Sequence, residues 1–242
     1  MSFKITWSFF LLVFLAGCAA PAVTPQPTLQ VWRVQHTPAI GWMDKSINKC
    51  ILEQPGAGVF LSEVTAAELD PQEADLSLTW GTAPKEELPV FQLGNDSLTV
   101  IVNPQNPLKA VNTEQLNNIV TGKWTNWQQA DASLSGEIAW WLLPPGDEAR
   151  LLLENALQVN LQLNPYAWLA PDPSAVLQSV AADPLAISVV PSRWVDASVK
   201  TVPFEGIEEN ALTLPILAIT RQQPDNELTA FLACLQTSLF TK

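Results

Sequence analysis

Few side chains in this 242-residue sequence could do chemistry, and their scarcity narrows what the protein does. There is one histidine, His36, and there are three cysteines, Cys18, Cys50 and Cys234. A zinc site built from Cys and His, or a triad whose base is histidine, would need most of them in one place. No Ser or Cys nucleophile is identifiable beside His36. The adjacent carboxyls Asp147 and Glu148 could be imagined as an acid–base pair, but neighbours on a helix point about 100° apart. The sequence therefore reads as a protein with no catalytic residues, no metal ligands and no cofactor.

Cys18 stands in a different context. Lys4 supplies a short positive region, and Phe9 to Ala16 is purely apolar. Eight apolar residues span about 12 Å as a helix, well short of the ~30 Å hydrocarbon core, so residues 1–17 read as a signal peptide. The stretch ends in Leu15-Ala16-Gly17-Cys18, which resembles the lipobox of bacterial lipoproteins. That resemblance implies cleavage before Cys18 and acylation of its thiol by chains of the palmitate type. Two or three such chains anchor a protein stably where one would be marginal. Residues 18–28 carry no charge and have prolines at 21, 25 and 27, so they read as a semi-rigid spacer between lipid and domain. The expectation is a membrane-anchored protein outside the cytoplasm, on the inner or the outer membrane. In that compartment Cys50 and Cys234 are a disulfide candidate; two buried free thiols acting as small hydrophobes are the alternative.

The composition limits the partners. Apolar residues make up 48% and charged residues 15%, which excludes a disordered or coiled-coil chain. Twelve Lys and Arg against 24 Asp and Glu leave a net charge of −12. Nucleic acid and anionic lipid both need basic surface, so neither is an expected electrostatic partner.

The elements that would position these residues alternate. Residues 29–34 read as a strand, and Thr37-Pro38 opens a helix over 40–52. A short strand covers 59–61, a short helix is expected where Thr65 and Glu68 have capping-box spacing, and another strand covers 74–80. Residues 98–102 form a buried strand, stopped by Asn103-Pro104. Helices are expected at 113–120, 148–159, 173–182 and 227–239, and strands at 138–142, 186–190 and 214–220. Strands alternating with helices imply an α/β fold with mostly parallel sheets flanked by helices.

Residues 100–127 add a more specific signal. They contain Val100-Ile101-Val102-Asn103-Pro104-Gln105-Asn106-Pro107, then Thr113-Glu114-Gln115-Leu116, then Gly122-Lys123-Trp124-Thr125-Asn126-Trp127. This pattern resembles the phosphate-type substrate-binding proteins of ABC transporters, which have the type 2 periplasmic-binding-protein fold. The likeness continues with falling fidelity over most of 29–242. It implies two lobes joined by two hinge crossovers, with a ligand held between them at helix N-termini. Lobe 1 would comprise 29–97 with 203–242, and lobe 2 would comprise 98–202.

The resemblance weakens where the ligand should sit. Phosphate binders place a Gly-Ser-Gly-Thr-Arg-like run at the start of a lobe 2 helix, and here the run is Pro145-Gly146-Asp147-Glu148-Ala149-Arg150. Both hydroxyls are gone and only Arg150 matches. Asp147 and Glu148 bring negative charge instead, or simply cap the helix and complement its dipole. Like charges about 4 Å apart cost on the order of 4 kcal/mol at an effective dielectric of 20, roughly a thousandfold in affinity. The family's Ser-Asp-Ala-Pro turn is Gly81-Thr82-Ala83-Pro84 here, so Thr82 replaces the acidic side chain. The remaining cleft candidates are His36 and Thr37 on the first strand-to-helix turn, Trp80 at a strand end, and Ser192-Arg193-Trp194; packed structural roles are their alternative.

Two functions follow. One is a lipid-anchored solute-binding protein that closes on a small ligand of unknown identity and serves an ABC permease. The other is a degenerate binding-protein-like domain acting as a cell-surface sensor or interaction module without transport.

Overall fold

The computed structural model describes residues 29–83, 87–131, 133–161 and 164–240. The signal peptide, the spacer and Cys18 lie outside the described residues.

The sheet runs in the order β2 (Ala57–Glu63), β1 (Gln30–His36), β3 (Leu76–Trp80), β11 (Thr213–Thr220), β4 (Val90–Val102), β8 (Ala186–Pro191), β6 (Ala139–Leu142) and β7 (Trp168–Leu169). A third partner, β9 (Lys200–Val202), pairs with β4. β5 (Val111–Asn112) and β10 (Phe204–Glu205) make a separate two-stranded pair. The outer strands are parallel: β1 with β2 and β3, and β6 with β7 and β8. In the middle, β11 and β4 run antiparallel to their neighbours. The reason is topological, because these strands carry the chain from one half of the sheet to the other.

β4 makes that passage within one continuous strand. Residues 90–97 pair with β11, and residues 98–102 pair with β8. Only its second half is apolar enough to read as a strand in sequence. The first half is partly exposed and carries Gln92, Gly94, Asn95 and Asp96.

The helices begin where their caps dictate. Asn112 and Gln115 form a reciprocal capping box at α2 (Thr113–Val120). Asp172 followed by Pro173 starts α4 (Pro173–Ala182), and Asp225 accepts from the Leu228 N–H to start α5 (Asn226–Ser238). The expected helix over 40–52 is a 3-10 segment, Pro38–Met43, that runs into α1 (Asp44–Leu52). Thr65 does bond Glu68, but no helix follows: a capping pair without a following apolar stripe yields one turn.

The corner at 103–127 is tightly bonded. Asn103 donates to the Val180 and Ala181 carbonyls and accepts from the Gln105 N–H. Asn106 donates to the Pro184 carbonyl and accepts from the Leu108 N–H. Gly122 closes α2 at φ +73°, and a Cβ there would strike the Asn164 side chain, so glycine is required on both counts. Trp127 is fully buried and donates its indole N–H to the Leu185 carbonyl at 2.8 Å. At the opposite end, Trp32 packs on Phe231 with ring centroids 5.3 Å apart. Cys50 of α1 and Cys234 of α5 form a disulfide, with 5.8 Å between their Cα atoms.

Candidate ligand cleft

A cleft opens where the turns after β1, β2 and β6 converge. Pro38 and Thr65 to Ala67 form one wall, and Pro144 to Glu148 with Pro171 form the other. It encloses about 140 Å³. Past Ala66, Ala67 and Glu148 it widens into a groove of about 580 Å³, which Glu68, Asp70, Thr79 and Thr82 also line. At the floor stands the first turn of α3 (Glu148–Leu157).

Asp147 is the N-cap of α3. Its Oδ1 accepts from the Ala149 N–H at 2.8 Å and from the Arg150 N–H at 3.4 Å. The helix's free donors are thus occupied by its own cap. Burial strips water from this carboxyl, and the Glu148 charge adds to the effect, pushing its pKa up to about 7 against the pull of the two N–H groups.

Glu148 does something different. It reaches across the cleft, and its Oε1 accepts from the Thr79 hydroxyl of β3 at 3.1 Å. Oε2 is buried without a hydrogen bond, as is the Thr37 hydroxyl. The Thr37 side chain is nevertheless near enough to the carboxyl to favour its charged form. Burial raises the Glu148 pKa, while Thr37, the Glu148 N–H, Thr79 and the Trp80 N–H hold it back.

Arg150, expected at the ligand, is turned away from it. Its Nε donates to Glu154 Oε1 at 3.1 Å and its Nη1 to the Leu143 carbonyl at 3.1 Å, and the residue is buried. The i,i+4 spacing of Arg150 and Glu154 on one helix was a readable signal for this pairing. His36 is also engaged elsewhere. One ring nitrogen lies 3.0 Å from the Thr37 carbonyl and the other 3.1 Å from Asp44 Oδ1. Trp80 gives its indole N–H to the Asp96 and Leu214 carbonyls, and its side chain is fully buried, leaving no ring face for stacking on a ligand. Thr82 is exposed on the rim of the wider groove, after Gly81. Of the expected site residues, Asp147 lines the cleft and Thr82 its edge, while Thr37 lies fully buried next to the wall residue Pro38. Glu148 and Thr79 are the additional pair.

Behind the cleft lies a second polar cluster. Asp96, in the crossing part of β4, accepts from the Ser97 N–H, the Ser192 hydroxyl and the Arg193 N–H. The adjoining 3-10 segment, Ser192–Trp194, is fastened to the first half of the fold. Trp194 donates to the Ala39 carbonyl at 2.7 Å, Arg193 Nη1 to the Leu239 carbonyl at 3.1 Å, and the guanidinium stacks 5.1 Å from the Trp42 ring centroid. Among the described residues, no group of three or more His, Cys, Asp or Glu is placed to hold a metal ion.

No family model matches the sequence. The fold, however, is shared with solved structures. A candidate phosphate ABC transporter substrate-binding protein from Clostridium perfringens, with bound phosphate, superposes with a TM-score of 0.74. It has 17% identity, over 85% of this chain and 93% of that one. An ABC-type phosphate transport receptor from Vibrio cholerae gives 0.62 at 23% identity, over 84% and 93%. The reduced OxyR regulatory domain from Pseudomonas aeruginosa gives 0.63 at 13% identity, over 88% and 100%. The chain therefore has the α/β fold of type 2 periplasmic binding proteins, a curled sheet flanked by helices.

Proposed function

We propose that the protein is a lipid-anchored extracytoplasmic binding protein that holds a small solute other than phosphate between two lobes, 29–97 with 203–242 and 98–202. Cys18 carries the acyl anchor in this reading, and residues 19–28 space the domain from the membrane. A disulfide and a fold shared with phosphate receptors both support it. One observation carries the exclusion of phosphate. The N-terminus of α3, the natural anion cradle of the cleft, holds two buried carboxyls, and the sole matching cation, Arg150, is locked to Glu154 and Leu143. With Glu68 and Asp70 on the rim, the lining suits an uncharged or cationic solute. An ABC permease is the partner this role implies.

A second reading, a cell-surface sensor or interaction module without transport, is favoured by the fastening of Arg193 and Trp194 to Ala39, Leu239 and Trp42, which opposes hinge motion. A thermal-shift panel on the Cys18→Ser chain separates the two. Sugars, amino acids, polyamines, phosphate and sulfate are each added in excess. A ligand at 100 times its Kd adds about 2.7 kcal/mol, which is several degrees. A shift with a neutral or cationic compound is expected, a shift with phosphate overturns the exclusion, and silence across the panel selects the second reading. Acyl labelling that depends on Cys18 tests the anchor.

A further inference from the structure

Glu148 sits where a ligand would bridge the two sides of the cleft. Its backbone opens α3 on one side, while its carboxyl meets the Thr79 hydroxyl and lies near Thr37 on the other. Thr79 and Thr37 lie on β3 and on the turn after β1, strands that β11 and β4 separate from β8 and β6. The contact joins residues 69 positions apart in sequence, and among the described residues no other side chain bonds the Thr79 hydroxyl. Thr37 is completely buried, and its hydroxyl has no hydrogen-bond partner. A buried hydroxyl so placed is costly unless an acceptor is held against it.

We propose that the Glu148 side chain is a built-in carboxylate ligand: it fills the oxyanion position of the cleft from within and clasps the two halves shut when no solute is bound. This deepens the reading that the cleft is the binding site and rests on it. Lobe 1 of such a cleft keeps the hydroxyls that would recognise an oxyanion, Thr37 and Thr79, and the protein supplies the oxyanion itself. A free solute must then displace Glu148 or bind beside it, and removing the side chain should uncover a site for a small free carboxylate.

The test is chemical rescue. Glu148→Ala should melt several degrees below the parent chain, and formate or acetate at about ten times its Kd should restore roughly 3–6 °C. The parent chain should not respond, and chloride at equal ionic strength should rescue neither. Adding Thr79→Val to Glu148→Ala should abolish the response to formate. A Glu148→Ala chain as stable as the parent, or one indifferent to formate and acetate, overturns the proposal. Should Glu148→Ala fail to fold, Thr79→Val breaks the clasp from the opposite side with the helix cap intact. Spin labels at exposed positions 72 and 123 should then report a longer, broader distance distribution than in the parent, and an unchanged distribution overturns the proposal. The rescue reads the clasp even if the solute panel is silent. Failure of the clasp thus remains distinct from failure of the solute-binding reading.

Discussion

The β4 crossing and the cleft each bury a carboxyl between the two halves of the sheet, and they do so with opposite economy of bonding. Asp96 takes three donors, two backbone N–H groups and the Ser192 hydroxyl, from β4 itself and from the 3-10 segment after β8. Glu148 takes one hydroxyl at hydrogen-bond geometry and leaves an oxygen unpaired, beside a second carboxyl, Asp147. Burial raises the pKa of all three groups. A fully bonded buried carboxyl specifies a geometry, whereas a half-bonded one can be exchanged for something else. The β4 crossing thus reads as a fixed pin and the cleft as the replaceable contact.

Breaking the pin should cost most. Asp96→Ala strands three donors at once, and we expect a loss of about 3 kcal/mol or more in urea unfolding, since each buried unpaired polar group costs roughly 1–3 kcal/mol. A loss below that of Glu148→Ala would reverse the ranking of the two regions.

The cleft should show itself through pH. Asp147 titrates near 7 in the folded chain, above its ordinary value of 3.8, so the native state binds the extra proton. Stability is then fully present below about pH 4, falls as pH rises toward 7, and is flat above it. Asp147→Asn keeps a capping acceptor and removes the titration. It should raise stability at pH 8 by on the order of 2 kcal/mol and make the fall of the melting temperature between pH 4 and 7 shallower, leaving the part due to Asp96 and Glu148. An unchanged slope would remove Asp147 from the account. Trp194→Phe deletes the indole bond to Ala39 with little change in shape and should cost about 1 kcal/mol. The same variant should widen the distance distribution between spin labels on the two halves, which sharpens the assignment of that segment to the hinge. The smallest expected effect is none: Arg150→Met should leave unchanged the thermal shift given by whichever solute the parent chain binds, because the guanidinium faces Glu154 and Leu143. A shift lost on that change would return Arg150 to the ligand.

What could be read in advance divides along the same line. Helix α4 is legible to the residue, because Asp172-Pro173 marks its start and an apolar run follows; β8 is an unbroken buried strand and nearly as plain. The bonded corner at Asn103, Asn106, Gly122 and Trp127 is written in local turn and cap chemistry. The first half of β4 is not, since a strand that crosses between halves is partly exposed and loses its apolar pattern, and β5, β7, β9 and β10 are only two or three residues long. At the site, the cap role of Asp147 was readable from position alone. The Glu148–Thr79 contact was not, because a hydrogen bond between a helix start and a distant strand leaves no periodicity in either segment. Asp96 likewise lies outside the strand expected at 98–102, in the polar half of β4 that has no apolar pattern.

The disulfide between α1 and α5 would have a mechanical meaning if the chain is tethered at its N-terminal side, as proposed above. It makes residues 50–234 a covalent ring, so tension entering from the N-terminal side passes from Cys50 straight to Cys234 and bypasses everything between them. Most of both halves of the sheet lies inside that ring; β1, the 3-10 segment Pro38–Met43 with its share of the cleft wall, the start of α1 and the end of α5 lie outside it. A pull on the tether can peel away the first strand but cannot unravel the ring, and a single proteolytic cut within it leaves one covalent molecule until the bridge is reduced.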